Sequence, residues 1–172
     1  MTLTLHRNDI DSAKQRFIRI ETELRKLLGT DVVIEHVGST ALPGVDGKGI
    51  VDVMIACQSL KDIKTAVQTL SGSGYFAARD ASEHEDRVFM ASRLEDTVKD
   101  DVHLHIVQVD SIAARQFVAV REYFLSHPLV AKEYSATKHA IAAASRYDRE
   151  EYKKRKSDFM KKILEKIATD TN

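Results

Sequence analysis

Apolar residues recur at helical spacing through Ile10, Phe17, Ile20, Leu24, Leu27 and Leu28, after Asn8 as a possible cap and before Gly29 as a stop. The pattern then changes. Val32 to Val37 and Ile50 to Cys57 are short, nearly unbroken apolar runs, so they read as buried strands. Ser59-Leu60-Lys61-Asp62 opens a second helix through Ile63, Ala66, Val67 and Leu70, which ends at Gly72 and Gly74. A short strand is expected from Tyr75 to Arg79, followed by a polar, mobile loop from Asp80 to Asp86 that carries His84. Arg87 to Leu94 and Val102 to Val109 alternate apolar and polar residues about the polar stretch Glu95 to Asp101, which predicts a hairpin with an extended turn.

Beyond Val109 the pattern is helical. Asp110 or Ser111 starts one helix that runs to about Ser126, and Pro128 suits the first turn of the next, through Tyr134, Lys138 and Ile141. Asp148 can cap a last helix striped by Tyr152, Phe159, Met160, Ile163, Leu164 and Ile167. The order α-β-β-α-β-β-β-α-α-α predicts an α+β fold. It consists of a mixed β-sheet with packed helices, over about residues 30–109, and a C-terminal helical subdomain over about 110–168. Without a repeat or a linker, residues 1–172 read as a single domain.

Composition narrows the function classes. The 26 basic residues balance the 26 acidic ones, so no global field draws the chain to a polyanion, and aromatics make up only 6%. Nucleic acid is the least favoured partner on these grounds. The single Cys57 cannot form an internal disulfide, no stretch resembles a secretory leader, and no apolar run reaches membrane-span length. The expectation is a cytoplasmic protein with no membrane partner. Neither a Gly-x-Ser-x-Gly elbow nor a Walker lysine motif is present.

The chemistry concentrates in residues 34–55. Four of the seven glycines (Gly38, Gly44, Gly47, Gly49) and one of the two prolines lie there, between the two predicted strands. Such loops let backbone N–H groups approach a phosphate. Asp52 sits among Val51, Val53 and Ile55, where a carboxylate needs a partner. That partner is either a cation at a site or a structural contact with Lys48 or backbone. His103 and His105 share one face of their strand, and with an acid they could hold a transition metal. Alternatively they are a hydrogen-bonded pair on a half-buried strand. His36 is a further candidate for the same side.

The run Glu35-His36-Val37-Gly38-Ser39-Thr40-Ala41, then Pro43-Gly44, Lys48 and Ile50-Val51-Asp52, resembles the signature of the GrpB family. Further matches lie at His103-Leu104-His105, Arg121-Glu122-Tyr123, His127-Pro128, Tyr134 to Lys138 and Tyr152 to Lys156. The resemblance implies a nucleotidyltransferase-like fold in a bacterial protein; a similar domain is fused to dephospho-CoA kinase in some bacteria. It implies that Gly38, Ser39 and Thr40 hold a triphosphate. Lys48, Arg87, Arg121 and Lys138 are the candidate phosphate partners; each taken singly reads as a surface charge, and the resemblance raises Arg121 and Lys138. It places a divalent metal (Mg, Mn or Zn) on Asp52, with His103 and His105 where related enzymes carry their third acid. It also marks a departure: nucleotidyltransferases carry a second acid two residues after the first, and this chain has Met54 there. Two readings follow. An enzyme of nucleotidyl or phosphoryl transfer would use Ser39, Asp52 and one metal. A non-catalytic module would bind a nucleotide or a coenzyme A-related ligand. The basic run Lys153 to Lys156 reads as a solvated helix face with Lys156 turned inward.

Overall fold

This computed structural model describes residues 4–77, 87–93, 100–146 and 148–170. Among them, strands β1 (Val33–Val37), β2 (Val51–Cys57), β3 (Phe76–Ala77), β4 (Arg87–Arg93) and β5 (Asp100–Gln108) form one mixed sheet in the order β1-β2-β5-β4-β3. β2 runs antiparallel to β1 and parallel to β5, while β4 is antiparallel to both β5 and β3. β2 is therefore an interior strand. The expected polar loop at Asp80 to Asp86, and most of the turn expected after Leu94, lie outside the described residues.

Helices α1 (Ile10–Leu28) and α2 (Leu60–Ser71) cover one face of the sheet. They bring Ile20, Leu24, Ile63 and Leu70 onto Val51, Val53, Ile55, Leu104 and Ile106 in the largest apolar cluster. The other face carries Val37, Met54, Ala56 and Val107, against which α3 (Ile112–Ser126) packs Ala114 and Phe117. Helices α4 (Pro128–Ala144) and α5 (Arg149–Asp170) complete the chain. Phe124, Tyr134 and Phe159 stack across α3, α4 and α5, with ring centroids 4.8 and 5.6 Å apart. Leu42 and Val45 of the glycine loop are buried in that same helical cluster, so the loop belongs to both halves of the fold. Among the described residues no helix is long and apolar enough to cross a membrane.

Local signals largely set the helix ends. The Ser59 hydroxyl accepts from Asp62 N–H at 3.2 Å and donates to the Asp62 carboxylate at 2.6 Å, a reciprocal cap. Ser111 and Asp148 accept in the same way from Ala114 and Glu151. One expectation is corrected: Asp9, not Asn8, caps α1, accepting from Ser12 N–H. Asn8 instead donates its side-chain amide to Ser39 O (3.0 Å) and Val45 O (2.7 Å). The helix start is thereby tied to the glycine loop.

His36 is also corrected. It is paired in register with Val53, so it faces α1 rather than the side of Asp52. There it stacks on Phe17 at 4.8 Å and meets the Thr40 hydroxyl at 3.0 Å. Burial, helped by Arg121 and Arg16 and opposed by Asp52, lowers its pKa from 6.5 to about 4. Below pH 6.5 the unfolded chain takes up a proton there that the folded chain refuses until about pH 4, so stability falls as pH drops through that window. The urea midpoint should therefore decline less steeply between pH 6.5 and 4 in His36→Phe than in wild type. The expected difference is on the order of 2 kcal/mol. Parallel slopes for the two proteins would refute it.

Candidate functional site

The period of two places Asp52, Met54 and Ala56 on the α3 side of β2, with His103 and His105 beside the first two on β5. Both imidazoles turn to one oxygen. His105 Nε2 lies 3.1 Å and His103 Nδ1 3.3 Å from Asp52 Oδ1. Burial pushes the Asp52 carboxyl up, but the hydrogen bonds from His103 and His105 outweigh it and hold the group well below the usual carboxylate range. Phe89 and Phe117 pack against the His105 ring, at 5.3 and 4.7 Å between centroids.

Directly above Asp52 the chain turns at Gly38, with φ of +72°. A Cβ at Gly38 would run into the Asp52 side chain, 2.8 Å from both its Cβ and Cγ. No other residue combines that backbone conformation with that proximity. The short turn Ser39–Ala41 follows, bonded from Ala41 N–H to Gly38 O and from Leu42 N–H to Ser39 O.

Gly38, Ser39 and Asp52 form the floor of a cleft of about 350 Å³. Arg87, Arg121 and Lys156 stand around it, and Phe117, Val120, Met160 and Leu164 supply an apolar wall. Lys156 is thus turned inward from α5. Arg121 is held firmly: Nη1 donates to Glu35 of β1 and to His36 O, while Nε and Nη2 share Glu122 Oε1 at 3.0 and 2.9 Å. Burial depresses its pKa, the two carboxylates raise it, and the net shift is upward.

Three residues expected to hold phosphate are placed elsewhere. Thr40 is buried, with its hydroxyl on His36 Nε2. Lys48 lines a separate cavity, with His6, Arg16 and Arg19, and lies 5.5 Å over the Tyr152 ring. Lys138 is only 3% exposed; its ammonium donates to Asp46 O beneath the loop and lies over the Tyr134 ring. Burial first, then Lys156, lower its pKa from 10.5 to about 7. It supports the loop from below instead of lining the cleft.

Glu35 is the residue that strand patterning overlooked. It is paired in register with Met54, so it shares the Asp52 face. Counting by twos back from Val37 would have found it. Among the described residues no group of three His, Cys, Asp or Glu side chains is arranged to hold a metal ion. Asp52, His103 and His105 stand as a hydrogen-bonded set, with both rings on one oxygen. A two-metal site has no second carboxylate on β2, because Met54 is buried there.

A family model described as GrpB protein matches residues 7–166. The chain is 29% identical over 157 residues to the glutamate-rich protein GrpB of Alkalihalophilus pseudofirmus, covering 90% of each. It is 32% identical over 138 residues to a UPF0157 protein of Pseudomonas aeruginosa, covering 80% of this chain but spanning only 56% of that relative. Its fold matches the crystal structure of the conserved protein GrpB from Enterococcus faecalis with a TM-score of 0.83, at 21% identity, over 98% and 99% of the two chains. It also matches Cid1 poly(U) polymerase with MgGTP bound, with a TM-score of 0.55 and 11% identity, over 78% of this chain and 43% of that one. The fold is nucleotidyltransferase-like.

The contact between Gly38 and Asp52 gives a stability test. Gly38→Ala combines a left-handed backbone with a clash against a carboxylate that two histidines hold in place, so it should lose about 2–4 kcal/mol. Gly44→Ala has a similar φ, +75°, with no atom within 4 Å of the added Cβ, and should lose only about 1 kcal/mol. Urea denaturation compares the two, and equal losses would remove the Asp52 contact as the cause.

Proposed function

The chain belongs to the GrpB family, and we propose that its cleft binds the phosphate groups of a nucleotide or a related phosphate-bearing small molecule, such as a coenzyme A precursor. The observation that carries this reading is the convergence of Ser39, Arg87, Arg121 and Lys156 on one cavity floored by a glycine turn. Three cations around a partly apolar cavity suit an anion attached to a larger body. The fold likeness to a polymerase holding MgGTP supports the same reading, although that nucleotide belongs to that protein.

Transfer chemistry is a further step. Asp52 is the carboxylate available to orient a reacting hydroxyl or an ion, and Ser39 stands next to it in the cleft. The buried Met54 where a second acid would stand favours binding without the usual two-metal transfer. Product formation from a labelled nucleotide separates an enzyme from a binding module.

A thermal-shift screen of nucleotides and coenzyme A precursors, with and without divalent ions, tests the binding itself. Ser39→Ala should weaken the bound compound by about 1 kcal/mol, the value of one modest hydrogen bond. Lys156→Ala should weaken it by about 1–2 kcal/mol, because the contact is charge-assisted. Unchanged affinity in both variants would place the ligand outside this cleft.

A single divalent ion on Asp52, His103 and His105 is a second reading, suggested by the grouping of the three side chains, and it requires both rings to exchange their hydrogen bonds to Asp52 for the ion. Imidazole ligands would select Mn²⁺ or Zn²⁺ over Mg²⁺. Affinity should fall on acidification, since a ligating nitrogen must be free of its proton. Calorimetry should then detect Mn²⁺ or Zn²⁺ binding to wild type that Asp52→Asn loses. Silence with wild type leaves Asp52 as a hydrogen-bonded structural acid.

A further inference from the structure

Arg121 is the cation of the cleft whose every guanidinium nitrogen is accounted for, and its two sides are held by different kinds of carboxylate. On one side Nη1 meets Glu35, fixed on β1, together with His36 O. The Glu35 side chain is 30% exposed, and its backbone is locked in register opposite Met54. On the other side Nε and Nη2 form the fork suited to bidentate capture of a phosphate. That fork closes on a single oxygen of Glu122, whose side chain is 58% exposed and which belongs to the next residue of the same helix. An exposed carboxylate on a rotatable side chain is weakly held. A partly buried one on an interior-facing strand position is not.

We infer that Arg121 is the anion receptor of the cleft, with Glu35 as its positioning residue and Glu122 as a built-in competitor. The incoming ligand is an oxyanion with two oxygens to present, a phosphate or polyphosphate group. It takes the Nε/Nη2 fork by displacing Glu122 into solvent, while Glu35 and His36 O keep Nη1 in place. No covalent step is involved: one ion pair is exchanged for another. This inference rests on the reading of the cleft as a phosphate site and names the residue that governs it.

Glu35 and Glu122 carry the same charge and touch the same guanidinium, so matched substitutions separate the roles. Titration calorimetry with inorganic tripolyphosphate at constant ionic strength supplies the readout. Glu122→Ala should tighten binding about two- to fivefold, the range of an exposed ion pair. Glu35→Ala should weaken it about five- to tenfold, because the fork loses its orientation. Arg121→Lys should weaken it about tenfold, since lysine cannot reproduce the fork. Glu122→Ala added to Arg121→Lys should then bring no tightening. A purely electrostatic role predicts tightening in both glutamate variants, and a purely structural role predicts weakening in both; either result overturns the inference. So does tightening by Glu122→Ala in the Arg121→Lys background, a test that stands even where Glu35→Ala folds poorly. Ser39→Ala and Lys156→Ala separate this from the broader reading. If tripolyphosphate fails to bind wild type, or binds both of those variants unchanged, the cleft reading falls and the inference with it. If both weaken binding but the glutamate variants do not diverge, the cleft reading stands and this inference alone is lost.

Discussion

A carboxylate on an interior strand must be paired, protonated or given back to water, and the arrangement around Asp52 follows from the first of these. Two histidines on the adjacent strand supply the hydrogen bonds that outweigh the cost of burial. They can do so only because β2 and β5 run parallel with Asp52 beside His103. The same carboxylate leaves no room for a side chain at Gly38, so the chain must leave β1 through a glycine in the left-handed region. Strand pairing, histidine placement and the path of the turn are therefore one constraint seen from three sides.

The turn that this constraint creates is then fastened from both halves of the molecule. Asn8, before α1, binds Ser39 O and Val45 O. From α4, the Ser135 hydroxyl accepts from Asp46 N–H at 2.9 Å, Lys138 donates to Asp46 O, and His139 meets the Asp46 carboxylate at 2.7 Å. Leu42 and Val45 sink into the helical cluster between these polar ties. Burying Lys138 this deeply is costly, which its lowered pKa expresses, and its contact with the loop carbonyl compensates in part. A loop held this way can present Ser39 to a ligand with little rearrangement, which is what tight recognition requires.

Much of the fold was legible because it is written in local chemistry. The runs Val33–Val37 and Val51–Cys57, the Ser59, Ser111 and Asp148 caps, and Pro128 at a helix start each act within a few residues. What escaped reading depends on partners distant in sequence. Asn8 is as good a cap as Asp9 in isolation, and the carbonyls 31 and 37 residues away decided between them. Lys138 was legible as sharing a face with Tyr134, but a buried lysine is rare enough that its pattern reads as a cleft-facing cation. Lys48 sits in the right motif, yet the glycines on either side carry it to another cavity. His36 and Glu35 are neighbours on opposite faces of β1, and only strand register says which one meets the cleft.

The charges of the cleft also say where selectivity must lie. Asp52 is satisfied by its histidines, and Arg121 is already paired with two carboxylates. A phosphate entering here largely exchanges partners rather than meeting bare charge, so the net electrostatic gain is modest. Exchange by itself hardly distinguishes one phosphate compound from another. The discrimination falls to surfaces that gain only when the right body arrives, and in this cleft those are Phe117, Val120, Met160 and Leu164. Phe117 comes from α3, which presses it against His105, while Met160 and Leu164 come from α5. The groups able to grip the anion are divided between the sheet with its turn (Arg87, Ser39) and the helices (Arg121, Lys156). Those able to judge what the anion is attached to sit on the helices alone.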